Sequence, residues 1–275
     1  MDERFSRLPR SLEERTRIVE LGETRVPALI AHPDWETPAP CAIWLHGRTA
    51  FKELDSGRYL RWIRAGIGAC AIDLPGHGQR ADGSAEDPSR SLDTLEQLLP
   101  EIDQVARALT SGEYARVFDA NRLALGGMSL GGMGALRRLC DEHPFACAAV
   151  EATSGSLADL YFPKGGAGGA PWTVTHDPER VRRLDPMEHL SGWAPIPLLV
   201  LHSETDRMVP WDAQRPFVEA LRERYESLGA DPGWIEVTTW PETGAPGEHL
   251  GFGRFANDAK NIQTEFLGRR LGAQT

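Results

Sequence analysis

Gly126-Gly127-Met128-Ser129-Leu130-Gly131-Gly132-Met133-Gly134 is the stretch that decides how this chain folds. The apolar run Arg122-Leu123-Ala124-Leu125 before it predicts a short buried strand, and Ala135-Leu136-Arg137-Arg138-Leu139-Cys140 after it predicts a helix. Strand, tight turn and helix with a serine at the apex describe a nucleophile elbow. The apex backbone is strained, so Gly127 and Gly131 on either side of Ser129 must lack side chains that would collide. Gly132 and Gly134 let the helix start approach the sheet. Leu130 offers its backbone N–H at a helix N-terminus, where a developing oxyanion is stabilised. A bare G-x-S-x-G pattern also occurs in flexible glycine loops, and the flanking strand and helix favour the elbow.

Upstream, residues 15–21 and 24–31 flank Gly22-Glu23 and predict an antiparallel hairpin, with Pro27 suited to an edge strand or bulge. Residues 1–14 are polar and predict an irregular or short helical lead-in. Cys41-Ala42-Ile43-Trp44-Leu45 is continuously apolar, as a strand buried on both faces should be, and runs into His46-Gly47-Arg48. A helix over 51–65 and a strand over 67–72 follow, the strand turning out through Asp73-Leu74-Pro75-Gly76-His77-Gly78. Residues 80–90 read as an exposed loop. The helical spacing over 92–109 is interrupted by Pro100, which predicts a kink or restart.

Downstream, 145–150 predicts another buried strand. Residues 156–194 break the alternation, with a glycine run at 165–169 and Trp172, His176 and Trp193 scattered around it. This segment reads as a small insertion serving as a partial lid or pocket wall, or as a plain surface connection. A strand over 196–202, a helix over 214–228, a strand over 234–240 and a terminal helix over 252–271 complete the pattern. Eight strands alternating with helices predict an α/β fold with a mostly parallel eight-stranded sheet, an N-terminal antiparallel hairpin and helices on both faces. The 275 residues fit one domain spanning 1–275.

In such sheets function gathers beyond the carboxyl ends of the strands, which selects 46–48, Asp73, Ser129, Glu151, Asp206 and His249. A serine hydroxyl needs a base to take its proton, and the base needs an acceptor that fixes its tautomer. Asp206 is the expected acid and His249 the expected base; Glu151, Asp73 and Glu204 are the competing carboxylates. Among the other histidines, His32 and His143 read as surface residues, and His46, His77 and His202 as makers of structural hydrogen bonds. Leu130 and Arg48 are the expected backbone donors of the oxyanion hole. The Arg48 guanidinium either enters the pocket, favouring an anionic or carbonyl-rich substrate, or faces solvent. Met128, Trp172 and Met208 are further pocket candidates.

Hydrophobic residues make up 41% of the chain and charged residues 25%, a globular balance. The formal charge of −10 and the absence of a basic stripe argue against a nucleic-acid partner and an anionic membrane surface. No apolar run approaches the roughly 20 residues that span a bilayer, and the charged N-terminus lacks a signal core, so a cytoplasmic location is expected. The four cysteines lack C-x-x-C spacing and read as buried thiols rather than disulfides or a zinc site.

Leu45-His46-Gly47, Asp73-Leu74-Pro75-Gly76-His77-Gly78, Gly127-Met128-Ser129-Leu130-Gly131, Asp206-Arg207-Met208-Val209-Pro210 and Glu248-His249 together resemble the α/β-hydrolase superfamily from about residue 15 onward. The hairpin and small insertion resemble its dienelactone-hydrolase-like and prolyl-oligopeptidase-like serine esterases. The resemblance implies a carboxylesterase acting on a small-molecule ester without metal or organic cofactor. Amidase, peptidase, thioesterase and acyltransferase activities on the same triad, or a non-catalytic binding protein of this fold, are the alternatives. Ser129 stands where true dienelactone hydrolases have cysteine, and the oligopeptidases' propeller domain is missing from the chain. Nothing in the sequence fixes an oligomeric state.

Overall fold

In the computed structural model, which describes residues 8–163 and 174–273, the chain opens with a one-turn helix, α1 (Arg10–Glu13). The hairpin follows as β1 (Thr16–Leu21) and β2 (Val26–Ala31), then β3 (Ala39–Leu45), α2 (Ser56–Arg64) and β4 (Gly68–Ile72). Next come α3 (Ser91–Leu109), β5 (Phe118–Met128), α4 (Leu130–Arg138) and β6 (Phe145–Glu151). The last part of the chain supplies α5 (Leu157–Tyr161), α6 (Pro178–Leu184), β7 (Leu198–Ser203), α7 (Trp211–Ser227), β8 (Ile235–Trp240) and α8 (Ala256–Leu271).

The strands form one eight-stranded sheet in the order β1-β2-β4-β3-β5-β6-β7-β8. β2 pairs antiparallel with both β1 and β4, and every other pairing is parallel. Alternation along β3 divides the interior. Cys41, Ile43 and Leu45 face a core shared with α3, α4 and α7, while Ala42 and Trp44 face a second core covered by α1, α2 and α8. Cys70 and Cys140 join the first core and Cys147 the second, and all four thiols are free and buried.

Four local expectations are revised. Pro27 lies in a strand paired on both sides rather than at an edge; it is tolerated because pairing with β4 starts only at Ala28, and its carbonyl accepts from Asp73 N. α3 runs unbroken through Pro100, whose missing N–H frees only the carbonyl of Glu96, an exposed residue that water can reach. α2 begins at Ser56 rather than 51, because Lys52 is drawn into a buried ion pair with Asp73 at 2.8 Å. His32 is fully buried, its Nε2 meeting the Val117 carbonyl at 2.8 Å across 85 residues of chain.

Within 156–194 the described residues form α5, α6 and a 3-10 segment over Pro186–Gly192. The glycine run and Trp172 lie outside the described residues. Among the described residues no helix is long and apolar enough to cross a membrane.

Candidate active site

The elbow is built by close backbone approach. A Cβ on Gly131 would stand 2.2 Å from the Leu45 carbonyl oxygen, and one on Gly127 would stand 2.6 Å from the Gly131 carbonyl carbon. Only hydrogen fits in either place, so β3, β5 and α4 meet without intervening side chains. Ser129 takes φ 52° and ψ −120°, a left-handed region that a side chain rarely occupies. Two hydrogen bonds hold it there. Ser129 N donates to the Glu151 carbonyl at 2.9 Å, and Thr153 Oγ1 donates to the Ser129 carbonyl at 2.7 Å.

His249 Nε2 stands 2.9 Å from Ser129 Oγ, and His249 Nδ1 stands 2.7 Å from Asp206 Oδ2. An ionised carboxylate only accepts, so Nδ1 carries the ring proton and Nε2 is left to accept from the serine hydroxyl. Asp206 Oδ1 also accepts from Met208 N and Val209 N, both at 2.8 Å, which fixes the carboxylate in its turn. Arg207 N donates to the Gly247 carbonyl at 3.0 Å and ties the Asp206 loop to the His249 loop. These five hydrogen bonds thus place three side chains from three separate loops.

Glu248, one residue before His249, has no counterpart among the sequence-derived candidates. Its Oε2 accepts from Ser203 Oγ, Thr243 N and Thr243 Oγ1, and its Oε1 from Gly244 N at 2.7 Å. The Thr243 hydroxyl and the other donors hold its carboxyl down to about 2. Its adjacency to His249 is the only signal the sequence offers.

The competing carboxylates are committed elsewhere. Glu151 forms a two-pronged ion pair with Arg58, at 2.6 and 2.7 Å. Burial pushes Glu151 up and Arg58 opposes the shift. Asp73 pairs with Lys52, and Glu204 accepts from Thr239 Oγ1 at 2.7 Å. Histidines expected to serve structure do so. Leu74 N donates to His46 Nε2 at 3.1 Å, so Nδ1 holds the proton and donates to the Gly47 carbonyl at 2.8 Å. His77 Nδ1 meets the Pro75 carbonyl at 2.7 Å, and His202 Nε2 the Val209 carbonyl at 2.8 Å.

A cavity of about 400 Å3 opens onto Ser129 and His249. Arg48, Met128 and Met208 line it, as do Tyr161 of α5, Leu54 and Leu250, which the sequence did not single out. Leu54, Met208 and Leu250 are exposed at its rim. Leu130 starts α4 and so has no intrahelical acceptor for its N–H, and the Arg48 N–H makes no backbone bond among the described residues. Both residues line the cavity beside Ser129. Among the described residues no cluster of three or more histidine, cysteine or acidic side chains is arranged to hold a metal ion.

The chain is 32% identical to esterase YjfP of Escherichia coli over 212 residues, which is 72% of this chain and 82% of that protein. A Thermus thermophilus protein of known crystal structure superposes with a TM-score of 0.72 at 22% identity, covering 94% of this chain and 100% of the other. A puromycin-hydrolyzing peptidase of Mycobacterium tuberculosis superposes with a TM-score of 0.70 at 20% identity, over 94% of this chain but only 40% of the larger protein. A model of the prolyl oligopeptidase family matches residues 62–238, a span that includes Ser129 and Asp206. With more than half its length matched and the expected eight-stranded sheet in place, the chain belongs to the prolyl oligopeptidase family of α/β-hydrolase-fold serine hydrolases.

Proposed function

We propose that the protein is a carboxylesterase that hydrolyses small acyl esters through a covalent acyl-enzyme. The observation that carries this reading is the unbroken hydrogen-bond chain from Asp206 through His249 to Ser129 at the mouth of an apolar cavity. Ser129 Oγ attacks the ester carbonyl while His249 Nε2 takes its proton, and Asp206 steadies the imidazolium that forms. Backbone N–H groups of Leu130 and Arg48 receive the oxyanion. His249 then protonates the departing alcohol, activates a water for deacylation and returns the proton to Ser129. No step calls for a metal or organic cofactor.

Ester rather than amide chemistry is supported by the esterase relative, which matches most of both chains. Cleavage of amides on the same triad is the second reading, supported by the peptidases among the structural relatives. The segment 156–194 contributes Tyr161 to the cavity wall, which supports its reading as a partial cover. The substrate is a small molecule, and the acidic surface supports neither a nucleic-acid nor a membrane partner.

Matched p-nitrophenyl butyrate, the corresponding thioester and the p-nitroanilide separate the readings. The ester is expected to give the highest kcat/KM. Ser129→Ala is expected to cut kcat on it by about a millionfold and to abolish fluorophosphonate labelling, with the fold intact. Faster turnover of the anilide would move the assignment to an amidase.

A further inference from the structure

Arg48 follows Gly47, where an added Cβ would stand 3.4 Å from the Ser129 Cβ, so the arginine springs from backbone beside the nucleophile. Arg48 lines the cavity, and its Nη1 donates to the carbonyls of Ala85 and Glu86, at 3.2 and 3.3 Å. Those two bonds pin one corner of the guanidinium without neutralising it. Nε and Nη2 have no partner among the described residues. These are donors along one edge of the fork, able to take a carboxylate in two parallel bonds.

The surrounding charges leave this cation uncompensated. No carboxylate lies within ion-pair distance of Arg48 among the described residues. Asp55, the one carboxylate among the described lining residues, is bound to Arg58 at 3.1 Å and to Lys260 at 3.6 Å. Asp87 feels Arg48 only at longer range, and the positive charge also reaches the Tyr161 phenol across the cavity. Many surface arginines are unpaired, but they do not line a cavity together with Ser129. On a chain of net charge −10, an isolated anchored cation there is a feature of the site rather than of the surface at large.

We propose that Arg48 is an anion-reading group and that the substrates are carboxylate-bearing esters, the half-esters of short dicarboxylic acids. This rests on the esterase reading above and adds the substrate class. The ester carbonyl lies at Ser129 and the free carboxylate at the Nε–Nη2 edge, with the intervening methylenes against the apolar wall formed by Met128 and Met208.

The test compares mono-p-nitrophenyl succinate with p-nitrophenyl butyrate in the unaltered protein, Arg48→Gln and Arg48→Lys. Because the Arg48 backbone belongs to the oxyanion hole, the reading is the ratio of the two kcat/KM values, not the absolute rate. That ratio is expected to fall about ten- to a hundredfold in Arg48→Gln, mostly through KM, and to be partly kept in Arg48→Lys. High salt is expected to lower it in the unaltered protein. A parallel fall on both esters, leaving the ratio unmoved, would mean that Arg48 only anchors the 80–90 loop, and would overturn the proposal. A binding arm stands apart from turnover: succinate is expected to bind the unaltered protein more tightly than butyrate, and Arg48→Gln to erase the difference. If neither ester is turned over but succinate still binds through Arg48, the esterase reading falls and the anion site stands. Equal binding of succinate and butyrate removes the anion site.

Discussion

Glu248 occupies the left-handed region, with φ 56°, directly after Gly247 at φ 62°. Two such residues in succession reverse the chain so that His249 turns back toward Ser129. Outside glycine that conformation costs on the order of 1 kcal/mol or more, and the bonds gathered by the Glu248 carboxylate hold it in place. Glu248→Gln would put an amide NH2 where a backbone N–H of Thr243 or Gly244 points, and a backbone donor cannot rotate away as a hydroxyl can. The expected result is a loss of about ten- to a hundredfold in kcat with little change in KM, because His249 is displaced while the cavity is not. A change confined to KM, or no change, would refute this positioning role. Such a residue is hard to read from sequence: its partners Ser203 and Thr243 are ordinary hydroxyls, one of them 45 residues away.

Four elements converge behind the elbow. Arg58 of α2 pairs with Glu151 at the end of β6, reaches Gln263 of α8, and lies 4.1 Å over the Trp44 ring of β3. Glu151 in turn accepts the Ser129 N–H through its carbonyl, so this buried pair braces the strand end that carries Ser129. Removing one member strands the other's charge in the core. Arg58→Met is expected to cost about 3–5 kcal/mol in a denaturant titration, and adding Glu151→Leu to recover part of it. A loss below 1 kcal/mol would show that water already reaches the pair. The strands around this junction were legible because β3 is buried on both faces and therefore apolar at every position. The apolar run 122–125 marks only the middle of β5, which spans Phe118–Met128, because its flanks are polar and glycine-rich and pairing with β3 extends it. Ser129 directly follows the apolar end of β5, Asp206 stands just beyond β7, and His249 lies in the loop between β8 and α8, all places that the strand pattern marks. The Arg58–Glu151 pair could not be picked out, since its 93-residue separation carries no local pattern.

Across the protein, histidine burial sets the response to acid. His32, His46, His77, His143, His176 and His202 are all lowered, in each case chiefly because burial disfavours the charged ring, and His46 falls to about 4. An unfolded chain protonates these rings near 6.5, before the folded one does. Stability is therefore expected to fall as pH drops from about 7 to about 4. Glu248 and Asp34, held down to about 2, continue the loss from the ordinary carboxylate range toward that value. Glu151 and Asp185, pushed up by burial, oppose it, but they are outnumbered. Thermal unfolding midpoints across this range test the sum, and a flat profile would contradict it. The buried thiols have a separate use. Cys147 lies in the layer under α2 and α8, while Cys41, Cys70 and Cys140 lie in the layer under α3, α4 and α7. Since no thiol is reachable in the closed state, an alkylating reagent followed by peptide mapping would time the opening of each half of the sandwich separately, using reporters the protein already carries.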